Sequence, residues 1–237
     1  MIKAVCFDLD GTLGRYTGEF GALAALLRSE LDLHMCDMNS FGQLLDSELR
    51  RDGALSLAVV LERVLERLEQ RPPSDLVGVA AAAVNAYAED FRPFQGAREL
   101  LERLDAAGIR LALVSNGPDD MQKAALHALG LARFFRVVLV SGDRDVAARK
   151  PAPRIFSLVC AGLQTVPEET LMVGDNLEAD VAGALDYGLH AVLIDHAAGR
   201  VIDAAPEGVS VVGSLAELER LLRQEYRVLS PGPQGAE

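Results

Sequence analysis

Apolar residues along this chain fall into two textures. Short branched runs occupy residues 2–7, 109–114, 137–140, 170–173, 190–194 and 209–212. Runs of this length, with few polar interruptions, read as strands buried on both faces. Between them lie segments of helical period. Residues 97–107 put Leu100, Leu101 and Leu104 on one face, and residues 151–163 do the same with Ile155, Phe156, Val159 and Leu163. Strands alternating with helices over short links predict a parallel sheet with helices on both faces. The expected class is α/β, with a doubly wound, Rossmann-like core.

Between Leu13 and Phe91 the texture changes, and no strand-like run is found. Phe20, Leu23, Leu27 and Leu31 recur at helical spacing, as do Leu57, Leu61, Val64, Leu65 and Leu68. The breaker Arg71-Pro72-Pro73 follows, and Ser74 is placed to cap a further helix through Tyr87. An all-α helical bundle inserted after the first strand is predicted. Residues 1–14 and 92–229 then form the α/β core, and residues 15–91 a helical cap. Glycine and proline in segments 14–18 and 91–96 suit a hinge, and the tail 230–237 is expected to be disordered.

Composition narrows the partners. The chain has 237 residues, 50% of them hydrophobic and 24% charged, as in ordinary globular proteins. Its net charge of −12 repels nucleic acid and anionic lipid, so neither is expected as a partner. A small anionic substrate would need local positive charge. Cys6, Cys36 and Cys160 lack zinc-type spacing; Cys6 and Cys160 lie in apolar stretches and read as small core residues. No charged-then-apolar leader is seen, and no apolar run approaches the ~20 residues of a bilayer span. A cytoplasmic setting is expected. Monomer and homodimer both stay open.

Chemistry collects at one edge of the predicted sheet. In open parallel sheets, ligands bind beyond the carboxyl ends of the strands. The first strand ends in Asp8-Leu9-Asp10-Gly11-Thr12. Four fixed positions of this kind arise by chance on the order of once in 10⁵ positions. Two carboxylates one residue apart ask for a cation, and Mg²⁺ is the natural hard dication for oxygen ligands. Ser115-Asn116-Gly117 follows the strand 109–114, Lys150 follows the strand 137–140 after a short loop, and Asp175 follows the strand 170–173, with Asp180 one turn on. Ser115 and loop amides suit phosphate oxygens, Lys150 suits phosphate and carboxylate alike, and Asp175 suits a dication shared with Asp8. Plain structural uses exist for each: Ser115 as a cap for a helix begun at Pro118, Lys150 as a solvated lysine, Asp175 in a turn with Asp180 on an exposed face.

FDLDGTL at Phe7, VSNG at Val114, KPAPRIF at Lys150 and VGDNLEAD at Val173 resemble the four ordered motifs of the haloacid dehalogenase superfamily. The insert is similar to the helical cap of its phosphoglycolate phosphatase-like branch. The resemblance implies a Mg²⁺-dependent phosphatase of a small phosphorylated metabolite. Asp8 would be the nucleophile that forms an aspartyl phosphate, and Asp10 the general acid/base. Asp8, Asp175 and the Asp10 carbonyl would bind Mg²⁺, with Asp180 and Thr12 supporting from outside. Ser115, Asn116, Gly117 and Lys150 would hold the phosphoryl group. Asp10 speaks against dehalogenation, since a departing halide needs no proton. A phosphomutase of the same branch is the main alternative, which Thr12 disfavours. A receiver-like phosphoaspartate protein would be about half this length. Arg15, Tyr16, Arg50 and Arg51 are possible substrate contacts from the cap, and His34, His127, His190 and His196 are expected to be structural or surface residues.

Overall fold

The computed structural model describes residues 1–34, 36–53, 55–197 and 208–229. Six strands form a parallel sheet: β1 (Ala4–Phe7), β4 (Arg110–Ser115), β5 (Val137–Val140), β6 (Thr170–Gly174), β7 (His190–Ile194) and β8 (Ser210–Val212), in the order β5-β4-β1-β6-β7-β8. Alternation within the apolar runs splits the side chains between two faces. Val5 and Phe7 join Leu111, Leu113, Leu171, Val173, Val192 and Ile194 on one face. Ala4 and Cys6 join Ala112, Val114, Met172 and Leu193 on the other.

Helices close both layers. The first face packs on α5 (Ala97–Ala106), α6 (Asp119–Ala128) and α9 (Leu215–Gln224). The second packs on α7 (Pro153–Leu163) and α8 (Gly183–Tyr187), which a π-helical turn at Leu177–Ala182 precedes. The fold is thus the expected doubly wound α/β core. Cys6 and Cys160 are both buried.

The register sets the height of the chemistry. Phe7 pairs with Leu113 and with Val173, so Asp8, Val114 and Gly174 emerge together at one rim. Asp8 N still donates to the Val173 carbonyl at 2.9 Å, which fixes its backbone to the sheet.

The segment between β1 and α5 departs from its sequence reading in three places. Gly14–Tyr16 (β2) and Phe91–Pro93 (β3) pair as an antiparallel ribbon, where hinge segments and no strand were expected. Pairing with a distant partner makes this ribbon; three residues carry no alternation to read. Four helices lie between its arms: α1 (Phe20–Glu30), α2 (Met38–Leu49), α3 (Leu57–Arg67) and α4 (Leu76–Glu89). Helix α2 was not foreseen. It is capped by Asp37, which accepts from Ser40 N at 2.9 Å, and it buries Phe41 and Leu45. Helix α4 is capped by Asp75 and not by Ser74, because the Asp75 carboxylate accepts from Gly78 N at 3.0 Å. Likewise α7 starts at Pro153, two residues beyond the expected Pro151. The tail 230–237 lies outside the described residues.

Candidate active site

A buried ion cluster sits at the rim. Lys150 Nζ lies 2.6 Å from Asp8 Oδ1 and 2.6 Å from Asp180 Oδ1, and it donates to the Val114 carbonyl at 2.6 Å. The residues are 3%, 7% and 1% exposed, so this is no solvated lysine and Asp180 lies on no open face. Asp180 is fixed in turn by Asn176 N, which donates to Oδ2 at 3.0 Å. Lys150 is anchored through its backbone: Asn116 Nδ2 donates to the Lys150 carbonyl at 2.9 Å, and Lys150 N returns a bond to Asn116 Oδ1 at 2.9 Å.

Two glycines let the acids approach. Gly11 takes φ +78°, and a Cβ there would stand 2.1 Å from Asp175 Oδ2. A Cβ on Gly174 would stand 2.2 Å from the Asp180 carboxyl carbon. These close backbone passages are open to glycine alone.

Asp8, Asp175 and Asp180 each offer a carboxylate oxygen, and these oxygens lie within 4.8 Å of one another. Burial pushes the Asp8 carboxyl well above the usual carboxylate range; Lys150 opposes that, and Asp180 and Asp175 reinforce it. Burial and then Asp180 lift Asp175, at the solvent-facing mouth, to about 6. Burial works against the Lys150 charge, yet Asp180 and Asp8 hold its ammonium above the usual lysine range. Asp10 adds a further acid nearby. One ammonium therefore faces an excess of carboxylates, all of them hard oxygen donors. That surplus fits a hard dication, which would favour the ionised acids. Thr12 supplies no charge. It is fully buried, and its hydroxyl has no hydrogen-bond partner among the described residues.

Asp10 stands in a second network that sequence reading missed. Tyr87 OH, from α4, donates to Asp10 Oδ1 at 3.1 Å. Ser115 Oγ donates to Gln122 Oε1 at 2.7 Å, which leaves the Gln122 amide hydrogens for Asp10. Burial raises the Asp10 carboxyl above its ordinary range, while Gln122 and Tyr87 pull it back. Ser115 thus points at a side chain and caps no helix. Gly117 N, expected to be free for phosphate, donates to Ser141 Oγ at 3.0 Å. Gln122 carried one readable signal, a polar residue on the apolar face of α6 beside Met121 and Ala125. Tyr87 and Ser141 carried none.

The proposed cap donors divide. Arg50 pairs with Asp46 at 2.9 Å and Arg51 with Glu48 at 3.2 Å, both within α2 and its end. Tyr16 stacks on Tyr87 with ring centroids 4.9 Å apart. Arg15 alone lines a cavity of about 470 Å³ beside Gly11 and Asp175. His196 also lines it, placed by a 3.1 Å contact between Nε2 and the Thr12 carbonyl. Among the described residues, none of the four histidines joins the acidic group that could hold a metal ion.

Comparison with protein families matches residues 2–188 to the haloacid dehalogenase-like hydrolases. The chain belongs to that family. It is 35% identical over 206 residues to the ribulose-1,5-bisphosphate 5-phosphatase of Halopiger xanaduensis, covering 82% of this chain and 85% of the relative. It is 30% identical over 203 residues to the glyceraldehyde 3-phosphate phosphatase of Methanopyrus kandleri, covering 82% and 84%. The solved structure of a HAD phosphatase from Thermococcus onnurineus shares its fold at a TM-score of 0.70 and 27% identity, over 93% of this chain and 98% of that one. This haloacid dehalogenase-like hydrolase is a phosphoric monoester hydrolase. Among its described residues, no helix is long and apolar enough to cross a membrane.

Proposed function

We propose that the chain hydrolyses a small phosphorylated metabolite in a Mg²⁺-dependent reaction through an aspartyl phosphate on Asp8. The observation that carries this is the buried Asp8–Lys150–Asp180 cluster with Asp175 beside it. Relatives named for ribulose-1,5-bisphosphate, glyceraldehyde 3-phosphate and phosphoglycolate point to small phosphate esters.

Asp8, Asp175 and the Asp10 carbonyl would hold Mg²⁺, which supplies charge neutralisation between the carboxylate and the phosphate. The chain's own residues do the rest. Lys150 holds Asp8 in place through Oδ1 and adds positive charge where the equatorial oxygens collect. An Asp8 oxygen attacks phosphorus as the bond to the leaving oxygen breaks. Asp10, its pKa raised by burial, gives that oxygen a proton. Water then attacks the phosphorus of the aspartyl phosphate, Asp10 takes a proton from it, and the bond to Asp8 breaks. The Asn116 amide holds the phosphoryl oxygens; Ser115 and Gly117 contribute once their bonds to Gln122 and Ser141 open.

Residues 15–91 act as a cap that moves on the β2–β3 ribbon. Contacts from residues 55–57 to the core support a closed form. Leu55 N donates to the Gly142 carbonyl at 2.7 Å, Asp119 N donates to the Leu55 carbonyl at 2.8 Å, and Leu57 N meets both Asp120 carboxylate oxygens at 3.0 Å. The test is phosphate release from p-nitrophenyl phosphate with and without Mg²⁺. Release that requires Mg²⁺ and disappears in a folded Asp8→Asn variant is expected. Turnover without Mg²⁺, or retained in that variant, would reject the reading.

A further inference from the structure

We propose that Arg15 selects phosphate esters carrying a second anionic group, a carboxylate or another phosphate, at the end remote from the transferred phosphoryl. This rests on the phosphatase reading and names its substrate class. The 470 Å³ cavity opens directly off the acidic cluster, since Asp175 belongs to both. A substrate whose phosphoryl group meets Asp8 therefore extends its other end into this space. Among the described residues, Arg15 is the one lysine or arginine lining it. Burial, and then the nearby Arg15 charge, hold His196 below the usual histidine range, so it lines the wall as a neutral ring.

The wall that carries Arg15 is built. The imidazole of His196 stacks on Phe94 with ring centroids 3.6 Å apart. Phe94 N donates to the Leu13 carbonyl at 2.9 Å, and the Arg15 guanidinium lies 5.6 Å from the Phe94 ring centroid. A cation over an aromatic face is steadied without being neutralised. No carboxylate pairs with Arg15 among the described residues, whereas Arg50, Arg51 and Arg67 are all paired with acids. Asp195, which also lines the cavity, accepts from Ala197 N through Oδ1 at 3.0 Å. In a chain of net charge −12, an unneutralised guanidinium in a cleft is the local positive charge that a second anion requires.

The experiment compares matched pairs with Mg²⁺ present: 2-phosphoglycolate against ethyl phosphate, and a sugar bisphosphate against the corresponding monophosphate. The expected kcat/KM is roughly 10- to 100-fold higher for the member with the second anion, as one charge-assisted contact gives. Arg15→Gln should shrink that ratio toward one by raising KM for the charged member, and Arg15→Lys should recover part of it. Preference in the glycolate pair assigns a carboxylate; preference in the sugar pair assigns a phosphate. If p-nitrophenyl phosphate and both pairs are hydrolysed without charge preference, or Arg15→Gln keeps the ratio, the inference is overturned and the phosphatase reading stands. If nothing is hydrolysed, both are overturned.

Discussion

Tyr87→Phe removes a single hydroxyl that reaches from α4 to the proposed acid/base. The ring keeps its neighbours, Tyr16 at 4.9 Å and Phe91 at 5.6 Å, so the fold is retained. What is lost is the 3.1 Å bond to Asp10 Oδ1. A hydrogen bond to a charged group is worth about 1.5–3 kcal/mol, and about 1.4 kcal/mol is tenfold in rate. Gln122 still holds Asp10, so the loss falls at the lower end, roughly tenfold. That is well below the 10²–10⁴ that a placed acid/base supplies in full. The loss is also selective. An alkoxide must be protonated as it leaves, while p-nitrophenolate departs without help. The assay is kcat/KM across a series of aryl and alkyl phosphates, which reports transfer to the enzyme. Alkyl esters should slow about tenfold, and p-nitrophenyl phosphate should change little. Equal slowing across the series, or none, would refute the positioning role of Tyr87 and weaken the acid role of Asp10.

Four further outcomes follow from the same geometry. Lys150→Met leaves Asp8 and Asp180 buried without their cation, and should lower the unfolding free energy by about 3–5 kcal/mol; an unchanged urea midpoint would contradict that. Gly11→Ala places a Cβ at the Asp175 carboxylate in a left-handed conformation, and should weaken Mg²⁺ binding at least about tenfold by calorimetry while the circular dichroism stays native; unaltered Mg²⁺ affinity would count against Asp175 as a ligand. Asp175 titrates at about 6, so protons compete with Mg²⁺ below that pH, and apparent Mg²⁺ affinity should fall by up to about tenfold per pH unit there. Because its folded pKa lies above the unfolded value, the ionised acid lowers stability at neutral pH, and Asp175→Asn should raise the Tm of the metal-free protein.

The core strands were legible because each leaves a dense apolar run; β1 is buried at all four positions, and even the half-buried edge strands β5 and β8 are apolar almost throughout. Its carboxyl end could be placed too, since parallel pairing sends every strand's end to one rim. That is why Asp8, Lys150, Asp175 and Asp180 could be named together from spacing. The ribbon β2–β3 could not be read, because its existence depends on a partner 77 positions away (Gly14 with Pro93 is 79, Tyr16 with Phe91 is 75) and not on local pattern. Helix α2 was hidden by Asn39, Ser40 and Gly42, weak helix formers that flank its buried anchor Phe41. Ser74 and Asp75 are both good caps, and only the carboxylate's reach to Gly78 N decides between them. The Tyr87–Asp10 bond joins an insert helix to the rim, and in sequence Tyr87 is one more apolar position on the buried face of α4.

The central claim is that Asp8 carries the phosphoryl group between substrate and water. The direct measurement is rapid acid quenching of the enzyme during turnover of a ³²P-labelled ester with Mg²⁺, followed by peptide mapping. The account predicts label on the peptide containing Asp8, formed before free phosphate appears and absent in Asp8→Asn. Phosphate release with no labelled protein at any time, or label on another residue, would contradict it.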